Sequence, residues 1–408
     1  MQFSFPNIRH LIAFHEVVKH GRISIAANHV FLSQPAITQA IAKLEKFLKV
    51  ELFERQPQGM FVTEAGEIFA RRVELTLNHL KTGAELARRK APRTGQKSPG
   101  SFYNKLTAVQ LRTLVAMSEV GNFSQAARNI GTSQPSVHRT VKDLEKLAEI
   151  RFFETTKNGI SLTRPGELLV HKIRLAAAEL QQGYYEISEY LGQDSTRIRI
   201  GSLPLSRTSI LPGAIDTFLS ESGKGIQIVN IDGPYAELLR ALRFGEIDFI
   251  IGALRNPEPA DDVVQEPLFE DPLAIITGAD HPLTKRAKVS LEDTLDYPWI
   301  APPMVTPSGS YLFEVLRIPE LPKTPVRIVT SSLVLVRGLL ARGDYVTIMS
   351  LNQMKLEHEL GLITALPIEL ENNMRSIGLT FRKGWRPTPA QSKFLDMIRN
   401  QCRQNEHH

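Results

Sequence analysis

Residues 11–70 recur, without a gap, 100 positions further along the chain. The segment LSQPAITQAIAKLEKFL at 32–48 returns as TSQPSVHRTVKDLEKLA at 132–148. Leu11, Gly21, Ser24, Ala26, Ala27, Ser33, Gln34, Pro35, Leu44 and Glu45 each meet the same residue type 100 positions later. So do Phe53, Glu54, Gly59, Thr63, Gly66 and Glu67. A gap-free match of this length makes each copy one structural unit, duplicated in tandem. A chain of 408 residues also exceeds what one core organises, so further domains are expected.

Inside a copy the apolar spacing is helical. Leu11, Phe14, Val17 and Val18 form one stripe, and Gly21 ends that helix. Ser24 is placed to cap a short helix carrying the small Ala26–Ala27 pair. Ser33 caps a third helix with Pro35 in its first turn, and Ile37, Ile41, Leu44 and Leu48 line its inner face. Thr38, Gln39 and Lys43 face away. LFERQPQGMFVT then reads as a strand, a turn at 57–59 and a returning strand, which is a wing. Long helical stretches follow at about 64–90 and 164–192. Between the copies, KAPRTGQKSPGSFYN reads as an exposed flexible linker.

Two short helices joined by a tight turn, the second polar on its outer face, suit a DNA major groove. Three-helix units of this pattern also serve as protein–protein modules. The charge distribution favours DNA: residues 1–90 carry a net +5, residues 91–193 +4 and the remainder −3. Gln34, Thr38 and Gln39 are the expected base readers of the first copy, and Gln134, His138 and Arg139 those of the second. Ser33, Lys43, Ser133 and Lys142 join them at the DNA-binding surface, and Arg55 positions the wing on a phosphate.

Several function classes drop out. Cys402 is the one cysteine, which excludes an intrachain disulfide and a cysteine zinc cage and fits a reducing cytoplasm. No run of about 18 apolar residues exists to span a membrane, and the first residues do not read as a signal peptide. His10, His15, His20 and His29 cluster in sequence, but their spacing places no two on one helical face, so no metal is expected. No nucleophile elbow, Walker loop or dinucleotide fingerprint occurs. Neither a catalytic residue nor a cofactor is expected.

The stretch from His20 to Glu67 resembles the DNA-binding domain of LysR-type transcriptional regulators. The alanine pair, Ser-Gln-Pro, Leu-Glu, Leu-Phe-Glu-Arg and Thr-Glu-Ala-Gly occur in that family's order and spacing. The second copy is similar but carries Thr155 in place of Arg55, and Arg164–Pro165 in place of Glu64–Ala65. The family has one such unit per chain and pairs the long helix with that of another chain. Here both helices lie in one chain, and the linker is long enough for them to pair within it.

From about Thr196 strands alternate with helices of about ten residues, the sign of parallel α/β units. RIRIGSL, IQIVNID and DFIIGAL form one set; PWIAPP, TPVRIVTS and YVTIMS form another, before a return through LITALPI and RSIGLTFRKG. This half is similar to the family's periplasmic-binding-protein-like effector domain, which holds ligands between two lobes. Ser206, Arg207, Thr208, Ser331 and Ser332 are the expected effector contacts, and hydroxyls with a guanidinium suit a carboxylate.

The fold class expected is a multi-domain α+β chain. Residues 1–90 and 105–193 are winged helix-turn-helix units with linker helices, 91–104 a flexible linker, and 194–408 a two-lobed α/β effector domain. The function expected is a cytoplasmic, sequence-specific regulator that binds double-stranded DNA and a small organic anion. It forms a dimer or tetramer through the effector domain and touches no membrane. Two alternatives stand beside it: an architectural DNA-bridging protein with a vestigial cleft, and a solute receptor or enzyme whose N-terminal units serve assembly.

Overall fold

In each repeat three helices and a two-stranded wing precede one long helix. The computed structural model describes residues 5–57, 59–92, 102–157, 159–193, 196–208, 210–222 and 225–405. It divides into two units, Met1–Thr196 and Arg197–His408. The first repeat contains α1 (Ile8–His20), α2 (Ile23–Val30), α3 (Gln34–Leu48), β1 (Phe53–Gln56), β2 (Gly59–Val62) and α4 (Glu64–Lys90). The second contains α5 (Ala108–Val120), α6 (Phe123–Ile130), α7 (Gln134–Ala148), β3 (Phe153–Thr156), β4 (Gly159–Leu162) and α8 (Arg164–Tyr190).

Residues shared by the copies build the joints between elements. Ile37, Ile41, Leu44 and Leu48 of α3 are buried against Leu11, Phe14 and Val17 of α1. Ser33 accepts from the Ala36 amide and Ser133 from the Ser136 amide, capping α3 and α7. Glu45 Oε1 accepts from the Leu52 amide at 3.0 Å and Glu145 Oε1 from the Phe152 amide at 2.9 Å. The recognition helix is thereby tied to the wing. Thr63 caps α4 through the Gly66 amide, and Thr163 caps α8 through that of Gly166. A Cβ on Gly66 would lie 2.2 Å from the Leu52 carbonyl oxygen, and one on Gly166 2.4 Å from that of Phe152, so glycine is required.

One capping expectation fails. α2 begins at Ile23, with Arg22 at its cap position and no side-chain bond, so Ser24 lies inside the first turn. The second copy is better capped there, because Asn122 Oδ1 accepts from the Gln125 amide.

The long helices pack on each other within the chain, and their apolar faces join the two repeats into one core. Phe69, Val73 and Leu80 of α4 share it with Leu169, Ile173 and Leu180 of α8. Small residues allow close approach: a Cβ on Gly83 would lie 2.8 Å from Lys172 Cβ, and one on Gly183 3.0 Å from Arg72 Cβ. Those two contacts are images of each other under the 100-residue offset, so the pair has pseudo-two-fold symmetry. Arg72 sits inside it, donating to Glu186 and Glu179. Residues 93–101 of the connector lie outside the described residues. The end of the expected flexible linker is structured, because Phe102–Lys105 forms a 3-10 turn on α1 and α4 and Phe102 is buried. An aromatic anchor offsets the ordering entropy that a Gly/Pro-rich segment alone could not.

The second unit contains β5 (Arg197–Ser202), α9 (Pro204–Thr208), α10 (Ile210–Glu221), β6 (Gln227–Asp232), α11 (Tyr235–Arg243), β7 (Phe249–Ala253) and β8 (Val263–Pro272). The chain then crosses to β9 (Ala274–Gly278), β10 (Trp299–Ala301), α12 (Pro307–Ser310), β11 (Val326–Val329), α13 (Leu333–Leu340), β12 (Val346–Met349), α14 (Lys355–Glu359) and β13 (Ile363–Ala365). It returns through β14 (Met374–Arg382) and closes on α15 (Pro389–Asn405). The sheets run β6-β5-β7-β14-β8 and β11-β10-β12-β9-β13. β5 is parallel to β6 and β7, and β10 to β11 and β12, as the βαβ rhythm predicts. β14 and β9 are antiparallel to their neighbours, because they belong to the two crossings between lobes. Phe218, Phe249 and Phe394 centre one lobe's core; Trp299, Leu312 and Ile348 centre the other's. Among the described residues no helix is long and apolar enough to cross a membrane.

Candidate nucleic-acid interface and ligand cleft

The inner stripe of each recognition helix is fixed in the core, which leaves its outer face on the surface. On α3, Ser33, Gln34, Gln39 and Lys43 are exposed and Thr38 is half-buried, its hydroxyl donating to the Gln34 carbonyl at 3.1 Å. Gln34, Thr38 and Gln39 line one open concavity with Ile23 and Pro35. Burial, and then the charge of Lys43, holds His10 below its ordinary value.

The corresponding face of α7 is more strongly pre-set. Gln134 Oε1 accepts from Ser124 Oγ at 2.6 Å, and the His138 ring stands edge-on to Phe123 at 5.3 Å. The Ser133 and Ser136 hydroxyls lie 2.8 Å apart. Lys142 is exposed, with its ammonium 3.8 Å from Glu145. Arg139 is exposed and makes no ion pair among the described residues. Arg55 pairs with Met60 in the first wing, but its side chain lies outside the described residues. Its counterpart Thr155 is exposed.

A feature that periodicity did not flag lies in the turn before α3. Phe31 is 93% exposed with a left-handed φ of 54°, where the second copy has Gly131.

In the second unit the lobes enclose a cavity of about 120 Å³, continuous in its lining with an open one of about 770 Å³. Both are lined by Arg255, Thr306, Pro307 and Arg375. Arg375 lies at the waist, ion-paired to the fully buried Asp271 and donating to Ser308 Oγ at 2.9 Å. Asp271 also accepts from Ser350 Oγ and from Asn352 Nδ2, joining strand crossing to lobe. Nε of Arg375 is buried without a hydrogen-bond partner among the described residues. Arg255 stacks over the Tyr235 ring at 4.0 Å and donates to the Ala253 carbonyl at 2.8 Å. Burial lowers its pKa; the phenol of Tyr235 acts the other way, and the charge of Arg375 adds to the lowering. Two cations thus share one cleft, and only one of them has a carboxylate partner among the described residues.

Of the expected effector contacts the structure brings only Ser331 to the cavity. Ser206 is buried and donates to the Leu203 and Ile251 carbonyls. Arg207 pairs with Asp232 at 2.7 Å. Thr208 donates to the Leu205 and Asn352 carbonyls, the latter tying one lobe to the other. Ser332 caps α13 through the Leu335 amide. The loop after β5 closes into α9, where Ser206 and Thr208 bond the Leu203 and Leu205 carbonyls three residues back, and Arg207 is drawn to Asp232 on β6.

Two family patterns match this chain. "LysR substrate binding domain" covers residues 191–403, and "Bacterial regulatory helix-turn-helix protein, lysR family" matches twice, at 8–67 and 109–167. The chain belongs to the LysR family. The double match agrees with the duplication. The HTH-type transcriptional regulator GalR of Pseudomonas putida is 30% identical over 394 residues, 97% of each chain. The HTH-type transcriptional regulator PcaQ of Agrobacterium fabrum is 27% identical over 290 residues, 71% of this chain and 93% of its own. A full-length OxyR variant from Pseudomonas aeruginosa shares the fold at a TM-score of 0.51, with 22% identity over 73% of this chain and 95% of that one. Full-length CbnR in complex with its target DNA does so at 0.50, with 17% identity over 72% and 99%. As a LysR-family member the chain is a DNA-binding transcription regulator with a small-molecule effector domain and not an enzyme. Regulators of this family act as oligomers.

Proposed function

We propose that one chain of this LysR-family regulator supplies a complete two-headed DNA reader, controlled by a small organic anion in the effector cleft. The observation that carries the first half is the sealed α4–α8 pair, with Arg72 bonded to Glu179 and Glu186 of the same chain. Gln34, Thr38 and Gln39 read one half-site, and Gln134, His138 and Arg139 read the other. Ser33, Lys43, Arg55, Ser133 and Lys142 hold phosphates. Residues 1–90 and 105–193 act as the two heads, 91–104 as their connector and 194–408 as the sensor. The heads carry different residues, so the half-sites are unequal.

The anion reading rests on Arg255, which lines the cleft without a carboxylate partner among the described residues, and on the unsatisfied Nε of Arg375. A carboxylate answers both, with the exposed Ser331 hydroxyl as a third contact. Ser206, Arg207, Thr208 and Ser332 support the site without touching the ligand. The regulator works in the cytoplasm. Val329, Val334 and Leu335 are exposed apolar residues on β11 and α13, and a second effector unit covers them to give a dimer or tetramer.

A thermal-shift screen of carboxylates and neutral metabolites against the wild type and Arg255→Ala tests this reading. Stabilisation by a carboxylate that Arg255→Ala loses is the expected result; stabilisation by neutral compounds alone contradicts it. If no compound stabilises and specific and random DNA bind with equal salt slopes, the chain is an architectural DNA-bridging protein instead.

A further inference from the structure

Glu16 and His20 lie four residues apart on one face of α1, at the end of that helix. α2 folds back across this end and brings His29 to the same place. The His20 and His29 rings stack with 9° between their planes and 4.4 Å between centroids. Nε2 of His20 is 3.3 Å from Oε2 of Glu16. One ligating atom from each residue lies within 4.8 Å of the other two. Spacing along a single helix could not reveal this, since the third partner comes from the next helix.

We infer that Glu16, His20 and His29 form a Zn²⁺ site confined to the first winged repeat. Two neutral imidazoles and a carboxylate are a set that zinc takes, leaving a fourth position for water. Tetrahedral bonds of about 2.0–2.2 Å set ligand atoms about 3.3 Å apart. Glu16 and His20 already meet that separation; loading the site requires the two near-parallel imidazoles to turn out of their stack so that both in-plane lone pairs meet at one ion. Nε2 of His20 is buried, and its 3.3 Å contact with Glu16 Oε2 lacks hydrogen-bond geometry, so a metal between the two would satisfy both. His15 Nδ1 flanks the carboxylate, 3.7 Å from Glu16 Oε1.

The location gives the ion a consequence. Gly21, next to His20, accepts at its carbonyl from the Met60 amide of the wing at 3.1 Å. Zinc would therefore lock the end of α1 to α2 beside the wing anchor and fix the helix that precedes α3. The second repeat has Ala116, Val120 and Asn129 at the corresponding positions, which offer no such ligand set. One head is metal-braced and the other is not.

The test is titration of the chelator-treated full-length protein with Co²⁺, followed by Zn²⁺. The expected result is one tetrahedral-type Co²⁺ absorption band per chain, displaced by Zn²⁺ and lost in both His20→Val and His29→Asn. Those variants carry the residues the second repeat tolerates, and their far-ultraviolet circular dichroism reports whether they fold. Absence of Co²⁺ uptake by the wild type would overturn the proposal. So would uptake of the same stoichiometry and spectrum by folded His20→Val and His29→Asn.

Discussion

Arg72 of α4 grips Glu186 of α8 with two prongs, Nε donating at 2.9 Å and Nη2 at 2.7 Å. Its third donor, Nη1, reaches Glu179 at 2.8 Å. Burial opposes the charge of Arg72, but the bonds and charges of the two carboxylates outweigh it and hold the guanidinium above its ordinary value. The positions 100 residues before Glu179 and Glu186 hold His79 and Leu86. An α4–α4 pair between chains would therefore bury Arg72 with no carboxylate opposite it. Breaking a buried pair costs more than forming it returns, so the arrangement selects α8 as the partner of α4.

Arg72→Met leaves the buried Glu179 and the partly buried Glu186 without their cation. It is expected to lower the stability of the first unit by about 3–5 kcal/mol in denaturant unfolding. Adding Glu179→Leu and Glu186→Leu to it should recover most of that loss. A single variant as stable as the wild type would show that the carboxylates find water instead.

Under the proposed two-headed reading, the unequal heads make unequal demands on DNA. Arg139→Ala is expected to weaken the preferred site by about 1–3 kcal/mol and to relax discrimination in one half-site only. Competition binding with each half-site scrambled in turn measures this. An equal loss on random DNA would reduce Arg139 to a phosphate contact.

Phe31 is held in a left-handed conformation with almost no packing to lose. Phe31→Gly, which copies Gly131, should raise the stability of the first unit by about 1 kcal/mol in thermal unfolding. A destabilised variant would mean that the ring packs where its 93% exposure says it does not.

His10 and His281 are both held below the ordinary histidine value, chiefly by burial. The native state takes up these protons less readily than the unfolded chain, which does so near pH 6.5, so acid favours unfolding. Stability should fall as pH drops from about 7 to about 6, and Asn at both positions should flatten that slope. Denaturant midpoints across this window check the sign; a rise on acidification would contradict it.

Periodicity made the three-helix units, their wings and the cap at Ser33 legible, because each depends on neighbours a few residues apart. Arg72, Glu179 and Glu186 were not legible: a charged residue in a helix reads as solvated until the partner helix is known. The same limit hid the meeting of His20 and His29. In the effector unit, loop position pointed to Ser206, Arg207 and Thr208, which α9 consumes in local bonds and a surface ion pair. Arg255, the contact proposed in their place, follows the carboxyl end of β7, where open α/β sheets place their ligands.

The central claim is that one chain forms the two-headed reader, and residues 1–196 test it most directly. In analytical ultracentrifugation that fragment should sediment as a monomer and still bind a two-half-site duplex at one chain per duplex. A stable dimer, disrupted by charges placed in α4 or α8, would contradict the claim and place the helix pair between chains.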